Sequence, residues 1–468
     1  MLFRSQVSPF SHLTDVDVRE RADLLVNIAN AERGLERWDI AFANLKEALE
    51  MYITLGDRDM IARSCTELAA VFVWEGRLEE ATETARRGLS YLDADVSANR
   101  ARLLALLGQV HAIAGCYEPA HEALGNALNI ASQLSDPKLV AGLLGARSIV
   151  NYQFFRLRET AADGEKSGRS EAAPLDRVVQ LQVLYQTLLH LGRLEEAARI
   201  RDELEPFATK ISQSYSIAQC VITRAWVKFG QAPDLAGLET VIQEVMKSDP
   251  KVPFWDVFSE VQLSLVDFLR GNWARALSHA QASCRLEVET ASRGIGAGAL
   301  FRQMAYASDR NGAFAILDEK RGWLPRSGQQ NAMGSWFMLA LVIEGLVILG
   351  EQVQAAQLYP LARELVDTGA VALWPIFRFT HTVAGIAAAA AREWDASEDH
   401  FQIALQQAES VPHCLEQAEI RRFHAMMLMD RTAPRDHEEA RKLLGEALET
   451  YTRIGMPRHV EMTRTLID

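Results

Sequence analysis

Residues of the kinds that catalyse reactions or bind metals occur in this sequence, but their spacing does not fit the motifs of such sites. His121 and His437 are each followed by a glutamate, yet neither run has the second histidine of the zinc motif H-E-x-x-H. The chain contains neither the phosphate-binding pattern G-x-x-x-x-G-K-[ST] nor the nucleophile pattern G-x-S-x-G. The run GIGAGAL at 294–300 has no lysine and no preceding strand, so it predicts a helix start or close helix packing. We therefore expect no catalytic residue, no metal and no cofactor, and we interpret the protein as a non-enzyme.

Charge balance and cysteine usage narrow the class of protein further. Asp and Glu number 62 against 49 Lys and Arg, and this net charge of −13 disfavours general nucleic-acid binding, which rests on neutralising phosphates. The five cysteines are odd in number and lack C-x-x-C spacing, so they indicate neither a disulfide framework nor a zinc site and fit a reducing compartment. Residues 1–15 lack the apolar core of a signal peptide, and the longest apolar stretch, 336–350, is interrupted by Glu344. We expect a cytoplasmic protein without a membrane span and without direct nucleic-acid binding.

One short pattern returns along the whole chain: a turn residue, a bulky residue, then an alanine three positions later. Clear copies are GLERWDIAFANLKEAL at 34–49, EGRLEEATETARRGL at 75–89 and REWDASEDHFQIAL at 392–405. The small anchoring residues recur 36–43 residues apart, or 79 apart where degenerate copies are expected at about 213–247 and 293–324. This spacing predicts about eleven repeat units. The anchors are Ala41, Ala81, Ala120, Ala161, Ala197, Ala276, Ala355, Ser397 and Ala440.

Each unit has the pattern of two helices that cross at the anchoring residue. Leu104, Leu107, Gly108 and His111 have the i, i+3, i+4, i+7 spacing of one helical face. A small residue at the crossing lets two antiparallel helices approach to about 8–10 Å. A single hairpin cannot bury its apolar face, so neighbouring hairpins must stack. We predict an all-α fold, an α-α superhelix (solenoid) of about eleven helical hairpins with a concave inner surface.

The repeat pattern resembles that of tetratricopeptide repeats. The units here are longer than the 34 residues of that family, and the family's closing proline is mostly missing. The resemblance implies a tetratricopeptide-like superhelix that binds proteins or peptides along its inner surface. The residues that carry it are Cys65, Leu68, Ala69, Gly76, Leu78 and Ala81 in the second unit, and Leu104, Leu107, Gly108, Gly115, Tyr117, Ala120 and Ala127 in the third.

Units of about 40 residues look more like the C-terminal arm of bacterial maltose-activator and LuxR-type signalling ATPases. The end of the chain, with DHEEARKLLGEALETYTRIGMPRHVEMTR at 436–464, is the most similar part. In such proteins the arm follows a nucleotide-binding domain and serves as a sensor or docking surface. The resemblance implies bacterial signalling or transcription regulation, and it leaves open whether the chain is complete or a piece of a larger regulator with an upstream nucleotide-binding domain.

Three polar stretches interrupt the repeats, at 163–176, 321–335 and 430–436. Their polar, Gly and Pro content is typical of exposed loops. We interpret them either as long loops between helices or as hinges between rigid blocks. The expected blocks are an N-terminal block of about four hairpins at 1–162, a partly degenerate middle block at 177–320 and a C-terminal block at 336–468.

Polar residues on the first helix of each unit are the first candidate for partner binding. If the anchors are placed as in the repeat family, these positions face the inner surface, with Arg63 near its rim. A carboxamide offers both a donor and an acceptor to an extended peptide backbone. The alternative is that these side chains only occupy solvated helix faces. The candidates are Asn30, Arg63, Thr66, Gln109, Gln153, Gln182 and Gln186.

Two aromatic clusters are the second candidate surface, because aromatic and arginine side chains are enriched at binding hot spots. The alternative is that aromatics at helical spacing belong to the core. The candidates are Tyr152, Phe154, Arg156, Trp374 and Phe377.

The missing catalytic motifs, the acidic charge and the continuous repeats favour a non-catalytic scaffold or sensor that binds a protein or peptide in the concave groove. The expected setting is bacterial signalling or transcription regulation. The alternative is a small-molecule-sensing arm of an ATP-dependent transcription regulator. That alternative requires a closed, mostly apolar pocket of a few hundred Å³, on the order of 300 or more, with convergent polar groups.

Overall fold

The computed structural model describes residues 17–92, 96–167, 174–248, 253–287, 290–374 and 376–468. Helices follow one another as antiparallel pairs in this part of the chain, which makes eleven consecutive hairpins and a final helix, α24. In hairpin 9 the second helix is split into α18 and α19. The predicted all-α repeat superhelix is confirmed, and the predicted number of hairpins is correct.

Hairpins 1–6 comprise the first twelve helices. Their bounds are α1 Val18–Gly34, α2 Trp38–Leu55, α3 Arg58–Trp74, α4 Leu78–Tyr91, α5 Ala98–Ile113, α6 Tyr117–Leu134, α7 Pro137–Gln153, α8 Leu157–Ser167, α9 Pro174–His190, α10 Leu194–Lys210, α11 Ser214–Gln231 and α12 Leu235–Met246.

Hairpins 7–11 and the final helix comprise the remaining twelve. Their bounds are α13 Pro253–Leu269, α14 Trp273–Leu286, α15 Ile295–Tyr306, α16 Arg310–Lys320, α17 Met333–Ile348, α18 Gln352–Gln357, α19 Tyr359–Asp367, α20 Thr380–Ala390, α21 Trp394–Ser410, α22 Cys414–Arg431, α23 Asp436–Ile454 and α24 Pro457–Ile467. The two degenerate units expected at 213–247 and 293–324 are thus complete hairpins.

One short ribbon departs from the helical pattern. Strands β1 (Ala372–Leu373) and β2 (Arg378–Phe379) pair antiparallel between α19 and α20. All four strand residues are buried. The ribbon lies inside the helical array, so it does not change the fold class.

The anchoring residues explain why the hairpins close. All nine predicted anchors are buried where the two helices of a hairpin cross. At one crossing the backbone approach is so close that a Cβ on Gly108 would lie 3.0 Å from the carbonyl oxygen of Ala120. The small anchors therefore act as predicted, by letting the two backbones approach.

The turn inside most hairpins uses a residue in the left-handed conformation. Glycine serves in several units, for example Gly76 with φ 74° and Gly115 with φ 75°. Glu36, Phe155 and Arg392 adopt the same conformation in others, with φ between 56° and 59°. Hairpin 6 is the exception, because Ala232 between α11 and α12 is extended with φ −139°. This difference accounts for the weak sequence signal of that unit.

The superhelix closes on itself within five hairpins. The first helices of hairpins 1–5 contact their neighbours in order, and α9 returns to contact α1. Leu175 at the start of α9 accordingly belongs to the same hydrophobic cluster as Leu25 of α1 and Leu68 of α3. The concave face expected from the sequence is therefore bounded by a closed ring of first helices in this part of the molecule.

Successive turns of the superhelix also contact one another. In several hairpins, the loop between the two helices lies against the start of the repeat unit five positions later, about 180 residues further along the chain. In hairpin 1, the Glu36 carboxylate accepts a hydrogen bond of 2.7 Å from the Ser214 N–H. In hairpin 5, the His190 carbonyl accepts one of 2.7 Å from the Val371 N–H. The other contacting pairs are Ile113–Ala291, Phe155–Phe337, Phe229–Cys414 and Gly271–Pro457.

The hydrophobic core differs along the chain. One cluster of buried residues runs from Tyr152 to Met456, whereas residues 22–154 belong mainly to two separate clusters. The large cluster crosses the polar stretches at 163–176, 321–335 and 430–436. The division into three blocks and the hinge interpretation stay predictions, because the core alone does not report motion.

The apolar stretch at 336–350 forms most of α17, which is buried without interruption from Gly334 to Leu346. Neighbouring helices α15 and α20 cover it. Within the described ranges, no helix combines the length and the apolar character needed to cross a bilayer.

Candidate partner-binding surface

Three of the predicted carboxamides occupy the same place in their repeats. Asn30, Gln109 and Gln186 lie on α1, α5 and α9, each eleven residues before the anchoring alanine of its unit. All three side chains are half-buried. We call this position, eleven residues before the anchor, the inner slot. Because α1, α5 and α9 belong to the closed first turn of the superhelix, the three amides in this slot lie around one inner face.

Several of these amides have unused hydrogen-bonding capacity. Gln109, Gln186 and Gln153, the last residue of α7, form no side-chain hydrogen bond with any residue that the structure describes. Asn30 accepts one from the Arg33 guanidinium at 3.3 Å. A half-buried amide without a protein partner can bind water or a ligand, since it carries both donors and an acceptor.

Thr66 and Arg63, both on α3, differ from the amides. The Thr66 hydroxyl donates to the Ala62 carbonyl at 3.0 Å, so its proton is used within the helix. Arg63 is exposed, as expected for a residue near a rim.

Gln182 differs from its prediction. It is buried, and its side-chain oxygen accepts a hydrogen bond from the Ser216 hydroxyl. The packing of α11 on α9 covers Gln182, so that residue is not available to a partner in this structure.

The aromatic candidates lie in the core. Tyr152, Phe154, Trp374 and Phe377 are buried. The structure therefore favours the core alternative over an exposed hot spot for these four. Arg156 remains half-exposed and is held by Glu159 at 2.7 Å and by the hydroxyl of Tyr117. The spacing of aromatics along one helix could not reveal this burial, because the covering residues come from neighbouring hairpins for Tyr152 and Phe154 and from another superhelical turn for Trp374 and Phe377.

The contact between turns is clearest at the ribbon. Trp374 donates its indole N–H to the Leu189 carbonyl at 3.0 Å, and Phe377 stacks on Trp226 with ring centroids 4.1 Å apart. His190 is hydrogen-bonded through Nδ1 to the Ala372 carbonyl at 2.9 Å. Burial lowers the pKa of His190 to about 4, so this imidazole is neutral at pH 7. The ribbon thus joins hairpins 5 and 6 to hairpin 10.

A buried network of charges fills the interior of hairpins 8–11. Arg378 donates to Glu344 at 2.7 Å, to Glu416 at 3.0 Å and to Glu419 at 3.1 Å. Arg422 donates to Glu419 at 2.9 Å. Burial alone would raise the pKa of Glu344, but Arg378 holds it below its usual range. Sequence reasoning missed this network, because charged residues on helices are usually interpreted as solvated.

The same repeat slot carries different chemistry in the two halves. Eleven residues before the buried alanines of hairpins 8 and 9 stand Arg302 and Glu344, and both are buried. In hairpins 1, 3 and 5 the slot holds the half-buried amides. The position that could face a partner in the first turn is therefore used for internal packing and ion pairs in the later hairpins.

Two surface clefts lie around α10. One of about 350 Å³ is formed by α9, α10 and α11, with Tyr185, Leu189 and Val227 among its lining residues and Arg224 and Lys228 at its edge. The other, of about 320 Å³, includes Pro206 and Phe207 in its lining. Both are open to solvent, unlike the closed pocket that a small-molecule sensor requires.

The glycine-rich run at 294–300 begins α15, in agreement with the helix-start interpretation. The Glu287 carboxylate accepts hydrogen bonds from the backbone N–H groups of Gly294, Gly296 and Ala297 at 2.7–3.0 Å. Burial raises the pKa of Glu287 to about 7 in spite of these bonds. The protein's own carboxylate thus occupies the helix N-terminus where an anion could bind.

No family model matches this chain, and no curated protein matches it. Among solved structures, that of yeast Tom70 aligns with 96% of this chain and 97% of its own at 13% identity and a TM-score of 0.33. A Rap protein complexed with competence and sporulation factor aligns over 96% of both chains at 9% identity and a TM-score of 0.34. The P58(IPK) TPR domain covers 87% of this chain and 98% of its own at 13% identity and a TM-score of 0.27. TM-scores this low mean that the whole shapes do not superimpose, so the fold assignment rests on the hairpins described above.

Proposed function

We propose that this chain is a non-catalytic scaffold that binds a protein or peptide through the inner face of hairpins 1–5. The observation that carries the proposal is the repeated slot of Asn30, Gln109 and Gln186, half-buried on three helices of one closed turn. Two of these three amides have no hydrogen-bond partner among the described residues. The corresponding slot in hairpins 8 and 9 is buried and used internally.

The chemistry of the slot favours a peptide backbone as its ligand. An extended segment presents alternating N–H and C=O groups, and each amide can both donate and accept. We therefore propose a single extended segment as the bound element.

The setting is also part of the proposal. The resemblance of the last unit to the arms of bacterial signalling ATPases supports a role in bacterial signalling or transcription regulation, in the cytoplasm. Five cysteines without a disulfide among the described residues agree with a reducing compartment. The recovery of a nucleotide-binding regulator in complex with this chain would support the setting, whereas a constitutive structural partner would contradict it.

The test of the groove is a set of inner-face substitutions measured against a captured partner. Asn30→Ala, Gln109→Ala and Gln186→Ala together should weaken partner binding at least tenfold, because three donor–acceptor groups are lost. The melting temperature should stay nearly unchanged, since surface substitutions cost within about 0.5 kcal/mol. Gln406→Ala on the outer helix α21 is the matched control, because Gln406 is an exposed glutamine outside the inner face. Unchanged binding by the triple variant would refute the groove.

A second function, sensing of a small molecule, would have to use the open cleft between α9, α10 and α11, which is not enclosed as such a sensor requires. Its volume of about 350 Å³ and its mixture of Tyr185, Leu189 and basic edge residues suit a small amphipathic ligand. Thermal-shift screening of metabolites separates the two functions. A metabolite-specific rise in melting temperature that Val227→Asp abolishes would support the sensor, and its absence would leave the peptide scaffold as the better description.

A further inference from the structure

The interior of the C-terminal hairpins contains a charged side chain without a direct partner. Arg302 on α15 is 4% exposed, and its guanidinium forms no hydrogen bond and no ion pair within 4 Å with any residue that the structure describes. Arg378 and Arg422 lie in the same interior, and each donates to at least one glutamate. Arg302 is therefore unlike the other two buried arginines of this network.

The carboxylate described near Arg302, that of Glu344, is hydrogen-bonded to other residues. Glu344 is near enough to feel its charge, but the two Glu344 oxygens already accept from the Tyr306 hydroxyl at 2.9 Å and from Arg378 at 2.7 Å. The Arg302 guanidinium carbon lies over the Phe268 ring, 4.9 Å from its centroid. The cation–π contact offsets only a part of the cost of removing the charge from water.

A second unpartnered polar atom borders the same ring. The His459 imidazole is buried with its centroid 5.0 Å from that of Phe268, and its Nδ1 has no hydrogen-bond partner. Burial lowers the pKa of His459 to about 4, so it adds no positive charge at pH 7. The Arg302 guanidinium and the Nδ1 atom of His459, both without a hydrogen-bond partner, thus lie around one aromatic ring, in a protein interior where such groups are normally satisfied.

A guanidinium is charged at every accessible pH, so it cannot escape the cost of burial by losing its proton. A buried charge is ordinarily paired, and an unpaired one is strongly unfavourable. We propose that Arg302 is an internal anion-binding residue whose ligand is a small carboxylate, held by two parallel hydrogen bonds beside the Phe268 ring. This site is separate from the partner-binding face and does not depend on the proposed function.

A carboxylate fits better than other anions for two reasons. The planar guanidinium fork matches the two oxygens of a carboxylate in a bidentate pair. The neighbouring Phe268 ring offers an apolar surface to a short aliphatic group. Because His459 is neutral and Arg302 supplies a single positive charge, a monoanion is expected.

The experiment is thermal unfolding in increasing sodium acetate, with ionic strength held constant by the bulky sulfonate MOPS. At a tenfold excess over its dissociation constant, acetate should raise the melting temperature of the wild-type protein by about 1–2 °C. Arg302→Met should abolish the rise. The matched control is Arg441→Met, which removes an exposed arginine on α23 and should keep the full response.

Two outcomes would overturn the proposal. One is an acetate response that survives in Arg302→Met, which would assign the effect to another place. The other is an equal response to sodium chloride, which would contradict selection of a carboxylate. Line broadening of the acetate methyl proton signal, present with wild type and absent with Arg302→Met, provides a readout that does not depend on folding stability. The triple variant of Asn30, Gln109 and Gln186 should respond to acetate like wild type, which separates this site from the groove.

Discussion

Hairpins 1–4, here called the N-terminal region (residues 17–167), and hairpins 5–11 with α24, the C-terminal region (residues 174–468), are built from the same repeat but packed differently. Buried apolar residues of the N-terminal region fall mainly into two clusters, whereas those of the C-terminal region form one large cluster and a small separate one around Phe301 and Met338. Polar residues eleven positions before the anchor are half-buried amides in hairpins 1, 3 and 5, whereas in hairpins 8 and 9 they are the buried Arg302 and Glu344. A repeat sequence therefore does not imply a uniform interior.

The contacts between superhelical turns also differ along the chain. The contacts made by hairpins 1 and 3 are polar, as between Glu36 and Ser214 or between the backbones of Ile113 and Ala291, and hairpin 4 adds an aromatic contact of Phe155 with Phe337. Those at the ribbon combine buried hydrogen bonds, such as Trp374 to the Leu189 carbonyl, with buried aromatic stacking of Phe377 on Trp226. We infer that the ribbon joins successive turns more strongly than the pair Glu36–Ser214 does, because apolar burial stabilises more than single exposed hydrogen bonds do.

The largest effect is expected from breaking the buried network. Glu419→Ala removes the acceptor of Arg378, Arg422 and Tyr451 and leaves buried charge unpaired. The free energy of unfolding of the C-terminal region should fall by about 3–5 kcal/mol. Glu47→Ala, which breaks the solvent-accessible pair with Arg21 in the N-terminal region, should cost about 0–1 kcal/mol. Guanidinium denaturation followed by hydrogen exchange measures both, and equal costs would remove the contrast between the regions.

The second-largest effect is expected from acidification, which should lower the free energy of unfolding of the C-terminal region. Burial lowers the pKa values of His190, His413 and His459 to about 4. The unfolded chain, with imidazoles near 6.5, binds more protons between pH 6.5 and 4, so stability is complete above pH 6.5 and falls as the pH drops through that window. The expected loss at pH 5 is about 2 kcal/mol per imidazole.

The pH dependence can be assigned to single residues. His413→Asn retains an N-cap acceptor for the Glu416 N–H but removes one titrating group. The slope of unfolding free energy against pH between 5 and 6 should fall by about one proton. A slope unchanged by this substitution would show that His413 does not contribute to the acid sensitivity. Hydrogen exchange at several pH values should place the loss in the C-terminal region.

The smallest effect is expected at the polar contact between turns. Glu36→Ala and Ser214→Ala should each destabilise the start of α11 by about 1 kcal/mol, and a double-mutant cycle should give a coupling of about 0.5–1.5 kcal/mol. A coupling near zero would mean that hairpins 1 and 6 are not joined in solution. A coupling of several kcal/mol would mean that the N-terminal contact is as strong as the aromatic ones.

Much of the fold was predictable because it is local. The anchors, for example Ala41, Ala120 and Ala276, mark helix crossings through the need for small side chains, and glycine or another left-handed residue marks most turns. Gln109 and Gln186 are half-buried, which is consistent with the inner-face prediction but does not test binding. Gln182 was placed on the same face yet is buried, because its coverage comes from the next hairpin.

The sequence by itself determined eleven hairpins and their order, since each depends on contacts within about 40 residues of chain. Only the tertiary structure decided that five hairpins complete a turn, that the segment around Trp374 packs against α9, and that Arg302 and Glu344 are buried. The physical reason is geometric. A small rotation at every joint accumulates along the array, and this sum sets which distant residues meet, although no local pattern encodes it.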